Sequence, residues 1–102
     1  MHAIRLRGPW EQEPLAEGRV RWSRRFHKPT GLDAPSRVWL VIEDLHEQAD
    51  VSLNDRLLAA VDQQSPARLD ITTALQPYNV LTITLPASSM LLPVRLEIED
   101  AS

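Results

Sequence analysis

The sequence predicts an all-β protein, an antiparallel β-sandwich of about eight strands, and three observations carry that prediction. Apolar residues recur with a period of two, not 3.6, along most of the chain. Turn-forming residues cut the chain into short runs: Pro9, Pro14 and Gly18, then Pro29, Gly31 and Pro35, then Asn54-Asp55, Pro66, Pro77, Pro86 and Pro93. The only helical candidate is "ITTALQ", a single turn with Thr72 as its cap. Strands that each present one apolar face bury it by stacking in two layers.

Each strand follows from its alternation. In "AIRLR", Ile4 and Leu6 oppose Arg5 and Arg7. In "GRVRWSRRFH", Val20, Trp22 and Phe26 share a face, and Arg19, Arg21, Ser23, Arg25 and His27 take the other. Arg24 falls on the apolar parity, which predicts either a bulge near Ser23-Arg24 or an edge position. "SRVWLVIEDL" turns Val38, Leu40 and Ile42 inward and leaves Trp39 and Val41 on the opposite parity, so both faces are apolar. One reading is a central strand whose outer face is covered by a neighbouring loop or the N-terminal segment. The other is an exposed aromatic platform for a glycan or a protein. "ADVSLN" places Ala49, Val51 and Leu53 on the core and folds back at Asn54-Asp55, where Asn-Gly is the usual choice, into a second arm over 57–61. Leu69 and Ile71, then Leu81, Ile83 and Leu85, then Val94, Leu96 and Ile98 complete the inward set.

A chain of 102 residues reads as one domain, 1–102, large enough to close a core without staples. Its 43% hydrophobic and 25% charged residues are ordinary for a globular protein. A net charge of −3 and a pI near 5.5 argue against nucleic acid or an anionic membrane as partner. The absence of cysteine excludes disulfides and thiolate metal sites. "MHAIRLRGPW" lacks the apolar run of a signal peptide, and no stretch approaches the roughly 20 apolar residues of a membrane helix, so the expected location is cytoplasmic.

Three stretches carry a resemblance. They are "WSRRFHKP" (Trp22–Pro29), "RVWLVIEDLHEQADVSLND" (Arg37–Asp55) and "ARLDITTALQPYNVLTITL" (Ala67–Leu85). In order and spacing they resemble the sugar-binding jelly-roll domain of glycoside hydrolase family 2, a galactose-binding-like β-sandwich. The chain departs from that pattern at the turn glycine (Asp55), the glycine of the next strand (Ala59 or Ala60), the aromatic before Asp-Ile-Thr (Ala67) and the glycine before Asn79 (Tyr78). The resemblance implies the fold and a sugar-binding ancestry. It implies no catalytic residue, because the carboxylates of these enzymes belong to a barrel that this chain does not contain.

Strands running up and down bring the connections Trp10–Glu17, Glu43–Gln48, Asp62–Pro66 and Pro86–Pro93 to one end. That gathers Trp10, Glu11, Glu13, Asp44, His46, Glu47, Asp62, Gln63 and Gln64 at one rim. An aromatic plane beside carboxylates and amides suits a sugar, with the ring stacked on its apolar face and planar groups on its hydroxyls. The candidate ligand residues are therefore Trp10, Asp44, His46, Asp62 and Gln63, with Trp39 as a separate platform. Loop tips are polar in any sandwich, so the same set also fits a solvated rim.

Glycoside hydrolysis needs two carboxylates about 5 Å apart, or roughly 6.5–9.5 Å, in a water-excluding cleft, and the expectation is a protein that is not an enzyme. His2, His27 and His46 are isolated and no "HExxH" occurs, so no cofactor is expected. A structural calcium on rim oxygens is the one ion that the resemblance to galactose-binding-like domains implies. "SSMLLP" sets Met90, Leu91 and Leu92 either as a plug in the open end or as a protein-docking patch. Two functions follow: a non-catalytic carbohydrate-binding module, or a structural or protein-interaction module that has lost sugar binding.

Overall fold

The fold, taken from a computed structural model, is described for residues 2–32, 36–43, 48–61, 67–88 and 93–99, without the side chains of 59–61. Nine strands occur among these residues: β1 (His2–Arg5), β2 (Glu11–Leu15), β3 (Arg19–His27), β4 (Arg37–Ile42), β5 (Ala49–Leu53), β6 (Arg56–Val61), β7 (Ala67–Asp70), β8 (Tyr78–Pro86) and β9 (Val94–Glu99). A four-stranded sheet has the order β1-β9-β4-β7 and a five-stranded sheet the order β2-β3-β8-β5-β6. All pairings are antiparallel.

Period-two alternation buries most of the residues it selects, but Ile4 of β1 is exposed and Val20, Trp22, Phe26 and Leu69 are half-buried. Val38, Leu40 and Ile42 of β4 and Leu96 and Ile98 of β9 face Ala49, Val51 and Leu53 of β5 and Leu81, Ile83 and Leu85 of β8 in one core cluster. Truncating a fully buried member such as Leu40 or Ile83 to alanine costs about 2–5 kcal/mol, the lost transfer energy plus the cavity left behind.

The segment Trp10–Glu17 is not a loop. Its residues Glu11–Leu15 form edge strand β2, followed by a 3-10 turn over Ala16–Gly18. "EQEPL" has no alternating apolar face, and Pro14 is tolerated because an edge strand leaves one row of N–H groups unused. Glu13 and Arg21, opposite each other in the register, form an ion pair at 3.1 Å.

No bulge interrupts β3. Its register with β8 runs unbroken from Arg19↔Pro86 to His27↔Tyr78. β2 ends opposite Ser23, so from Arg24 onward β3 is an edge, and Arg24 donates from Nε to the carbonyl of Arg7. The register shift lies instead between Val51 and Ser52, in the β5–β6 pair.

"ITTALQ" is a turn and not a helix. Asp70 is its cap: Oδ1 accepts from Thr72 N at 3.0 Å and Thr72 Oγ1 at 2.6 Å, and Ala74 N donates to Ile71 O at 3.0 Å. Thr72 Oγ1 in turn accepts from Val38 N at 2.8 Å, tying the turn to the start of β4.

Two backbone bonds tie connections together. Ala87 N donates to Gly18 O at 2.6 Å, and Glu43 N donates to Pro93 O at 3.1 Å, so the β2–β3, β8–β9 and β4–β5 connections are joined by backbone bonds. Among the described residues no helix is long and apolar enough to cross a membrane.

Candidate functional site

The crossover from the four-stranded to the five-stranded sheet builds the site. After β1, Leu6 N donates to Val94 O at 2.9 Å and the Leu6 side chain is buried in the core. The chain then passes through Arg7–Pro9 to Trp10, whose Nε1 donates back to Leu6 O at 3.2 Å. That bond fixes the indole at the mouth of a half-open cleft of about 450 Å³, a size within the range of small-ligand sites. Trp22 of β3 lines the same cleft, as do Leu6, Glu43 and Val94. Two indoles, the apolar residues Leu6, Pro93 and Val94, and several polar groups thus meet in one concavity.

Trp22 carries an unusual feature. Its Nε1 is buried and has no hydrogen-bond partner. A buried N–H without an acceptor costs about 1–3 kcal/mol, and such groups in a folded protein call for an explanation in function or in a missing partner. The parity of β3 marks Trp22 as core, and the sequence gives no sign that it sits at the open side. The nearest hint is Arg24, a charged residue on the same parity two positions on.

The cleft is electrostatically lopsided. Among the described residues, Arg5, Arg7 and Arg95 line it together with one carboxylate, Glu43. Glu43 is engaged by Arg95, which also donates from Nε to Glu97 Oε2 at 2.8 Å.

Trp39 lies elsewhere, on the outer face of the four-stranded sheet. It stands opposite Asp70 and Glu97, and its neighbour Val41 stands opposite Arg68 and Arg95. Arg68 sits over the Trp39 ring, its guanidinium carbon 4.1 Å from the centroid, and Trp39 Nε1 donates to Glu99 Oε2 at 2.9 Å. Val41 is only 1% exposed between those arms. β4 is therefore a central strand whose outer face is flanked, among the described residues, by long charged side chains, Arg68, Arg95 and Glu97.

Of the sequence-derived candidates, Trp10 is in the cleft and Trp39 is on a different face. Asp44, His46, Asp62 and Gln63 lie outside the described residues, and so do Met90, Leu91 and Leu92. Glu11 and Glu13 belong to β2. Among the described residues no group of three or more His, Asp or Glu side chains could hold a metal ion. Asp70 is the one described group with a resolved pKa shift: the hydroxyl and backbone N–H of Thr72, then Arg37, hold its carboxyl below the ordinary value, against a smaller opposing effect of burial.

Comparison with known proteins gives the same architecture. The chain aligns with a Bifidobacterium dentium β-glucuronidase at 24% identity and a TM-score of 0.71, covering 83% of this chain and 20% of that one. It aligns with a β-D-glucuronidase of Dictyoglomus thermophilum at 12% identity and a TM-score of 0.85, covering 98% and 28%. A Faecalibacterium prausnitzii β-glucuronidase matches at 22% identity and a TM-score of 0.68, covering 83% and 21%. The chain thus spans roughly a fifth to just over a quarter of the length of these enzymes. No curated protein matches it by sequence. Residues 9–93 match the glycosyl hydrolase 2 galactose-binding domain-like family, and this chain belongs to that family.

Proposed function

We propose that the domain is a non-catalytic carbohydrate-binding module, and that its binding site is the Trp10–Trp22 cleft. The observation that carries this reading is the meeting of two indoles, Trp10 and Trp22, with polar side chains in one cleft of about 450 Å³. Indole faces match the apolar face of a pyranose, and polar side chains beside them match its hydroxyls. The family and the β-glucuronidases that share the fold make a sugar the natural ligand class. Trp39 is the weaker platform, because Arg68 already covers its ring.

Isothermal titration with a panel of mono- and disaccharides tests the reading. Heat of binding in the millimolar range or tighter supports it, and the absence of binding to every member of the panel at millimolar concentration overturns it.

One observation favours the second reading, a structural or protein-interaction module. Tyr78 is 74% exposed, Leu57 62% and Val80 38%, all three on the outward parity of the five-stranded sheet. Light scattering after size exclusion would show self-association if this face is an interface between copies.

A further inference from the structure

We infer that the cleft selects acidic saccharides: a carboxylate on the sugar pairs with Arg5 or Arg7 while the ring lies against the indoles. This rests on the carbohydrate reading of the same cleft and adds the ligand's charge.

Of this chain's ten arginines, five meet a carboxylate among the described residues, and Arg5, Arg7, Arg24, Arg25 and Arg56 do not. Arg19, Arg21, Arg37, Arg68 and Arg95 each meet a carboxylate: Asp50, Glu13, Asp70, Glu97, and Glu43 with Glu97. Arg5 and Arg7 line the cleft, and among the described residues neither has a carboxylate partner. Arg5 in fact stands directly opposite Arg95 in the β1–β9 register, a like-charge juxtaposition that destabilises a sheet. Among the described residues the one carboxylate in the lining, Glu43, is bound to Arg95 and does not compensate the other two. A chain of net charge −3 thus sets two arginines without a carboxylate partner among the described residues at a cleft lined by two indoles.

Arg95 is balanced by Glu43 and Glu97, and the exposed Arg5 and Arg7 keep their charge available to a ligand in the cleft. The planar guanidinium matches a carboxylate with two parallel hydrogen bonds, a geometry that a neutral hydroxyl does not reproduce. Anionic ligand and cationic cleft also attract at a distance, so the preference weakens as salt shortens the screening length to a few ångströms.

The test is calorimetric titration of the intact chain with trigalacturonic acid and with its fully methyl-esterified form, which keeps the sugar and removes the charge. The expected result is binding of the acid about ten-fold tighter than the ester at low salt, falling towards equality in 0.5 M salt. The double substitution Arg5→Gln and Arg7→Gln changes two exposed side chains, and circular dichroism verifies that the fold is kept. It is expected to abolish the preference for the acid. Equal affinity of acid and ester, or a preference that survives the double substitution, overturns the acidic selection and leaves the carbohydrate reading standing. Binding of neither compound, and of no saccharide in the panel, overturns both.

Discussion

Asn54 donates from Nδ2 to Oδ1 of Asn79 at 3.1 Å, joining the β5–β6 turn to the start of β8 across 25 residues. The bond is one part of a closed network. Asn79 Oδ1 also accepts from Gln76 N at 2.9 Å, and its Nδ2 donates to Gln76 O at 2.7 Å and Phe26 O at 3.4 Å. Asn54 returns the favour to the sheet, its Oδ1 accepting from Val80 N and its own N donating to Val80 O, both at 2.9 Å. Asn79 is 2% exposed, so its amide has exchanged water for these partners. Asn79→Ala strands Gln76 N, Gln76 O and Asn54 Nδ2, and is expected to lower stability by about 2–3 kcal/mol. Urea denaturation monitored by tryptophan fluorescence measures it, and a loss below about 0.5 kcal/mol would show that water replaces the amide.

The turn itself makes the next prediction. Asn54 and Asp55 both have positive φ, 54° and 64°, the left-handed pair that a two-residue hairpin turn requires. Asparagine accepts this conformation readily, and here it earns its place through the Asn79 bond. Asp55 makes no such bond among the described residues, and glycine adopts the conformation without a Cβ penalty. Asp55→Gly is expected to raise stability by up to about 1 kcal/mol, the relief of strain exceeding the added freedom of the unfolded chain. A clear fall in melting temperature would contradict the turn geometry.

Asp70 predicts a pH dependence. Its bonds from Thr72 and the pairing with Arg37 at 3.1 Å depress its folded pKa below the ordinary value of 3.8. A depressed folded pKa means the unfolded state binds the proton more tightly, so the stabilisation is fully present above pH 3.8 and is lost as pH falls through the lower folded value. Asp70→Asn removes this contribution. The wild type and the variant should converge in stability as pH drops below the ordinary carboxylate range, and a difference that is constant from pH 7 to pH 2 would contradict the assignment.

The charged lattice over Val41 predicts a modest, salt-sensitive effect. Glu97 joins Arg68 at 3.5 Å to Arg95 at 2.8 Å, and its side chain is 16% exposed. Glu97→Gln is expected to cost about 1 kcal/mol at low salt, between the worth of an exposed pair and that of a buried one. Guanidinium chloride would screen the effect, so urea at two salt concentrations is the measurement. No change at either concentration would mean that the arms cover Val41 by packing alone.

Much of the sandwich was legible because β5 and β9 alternate strictly and β4 and β8 keep one apolar parity over most of their length, and alternation translates directly into an inner and an outer face. β2 was not, since a polar edge strand has no face to bury and its pairing with β3 leaves no mark in "EQEPL". The helical expectation at "ITTALQ" failed because Asp70 captures the Thr72 N–H and hydroxyl and closes a turn first. Trp10 was legible as an aromatic beside a connection. Trp22 and the unpaired state of Arg5 were not. The first depends on where β2 and the opposite sheet leave β3 uncovered, the second on a register that sets Arg5 against Arg95 across 90 positions of chain.

The cleft is tested most directly by the indole N–H signals of the three tryptophans in a nitrogen-15-labelled sample, titrated with the tightest-binding member of the saccharide panel. Each indole reports on a different place: Trp10 at the mouth of the cleft, Trp22 in its wall, and Trp39 beneath Arg68 on the outer face of the other sheet. The predicted result is that the Trp10 and Trp22 signals move together along one binding curve while Trp39 stays still. Movement of Trp39 alone, or a bound saccharide that leaves Trp22 unmoved, would contradict the assignment of the site.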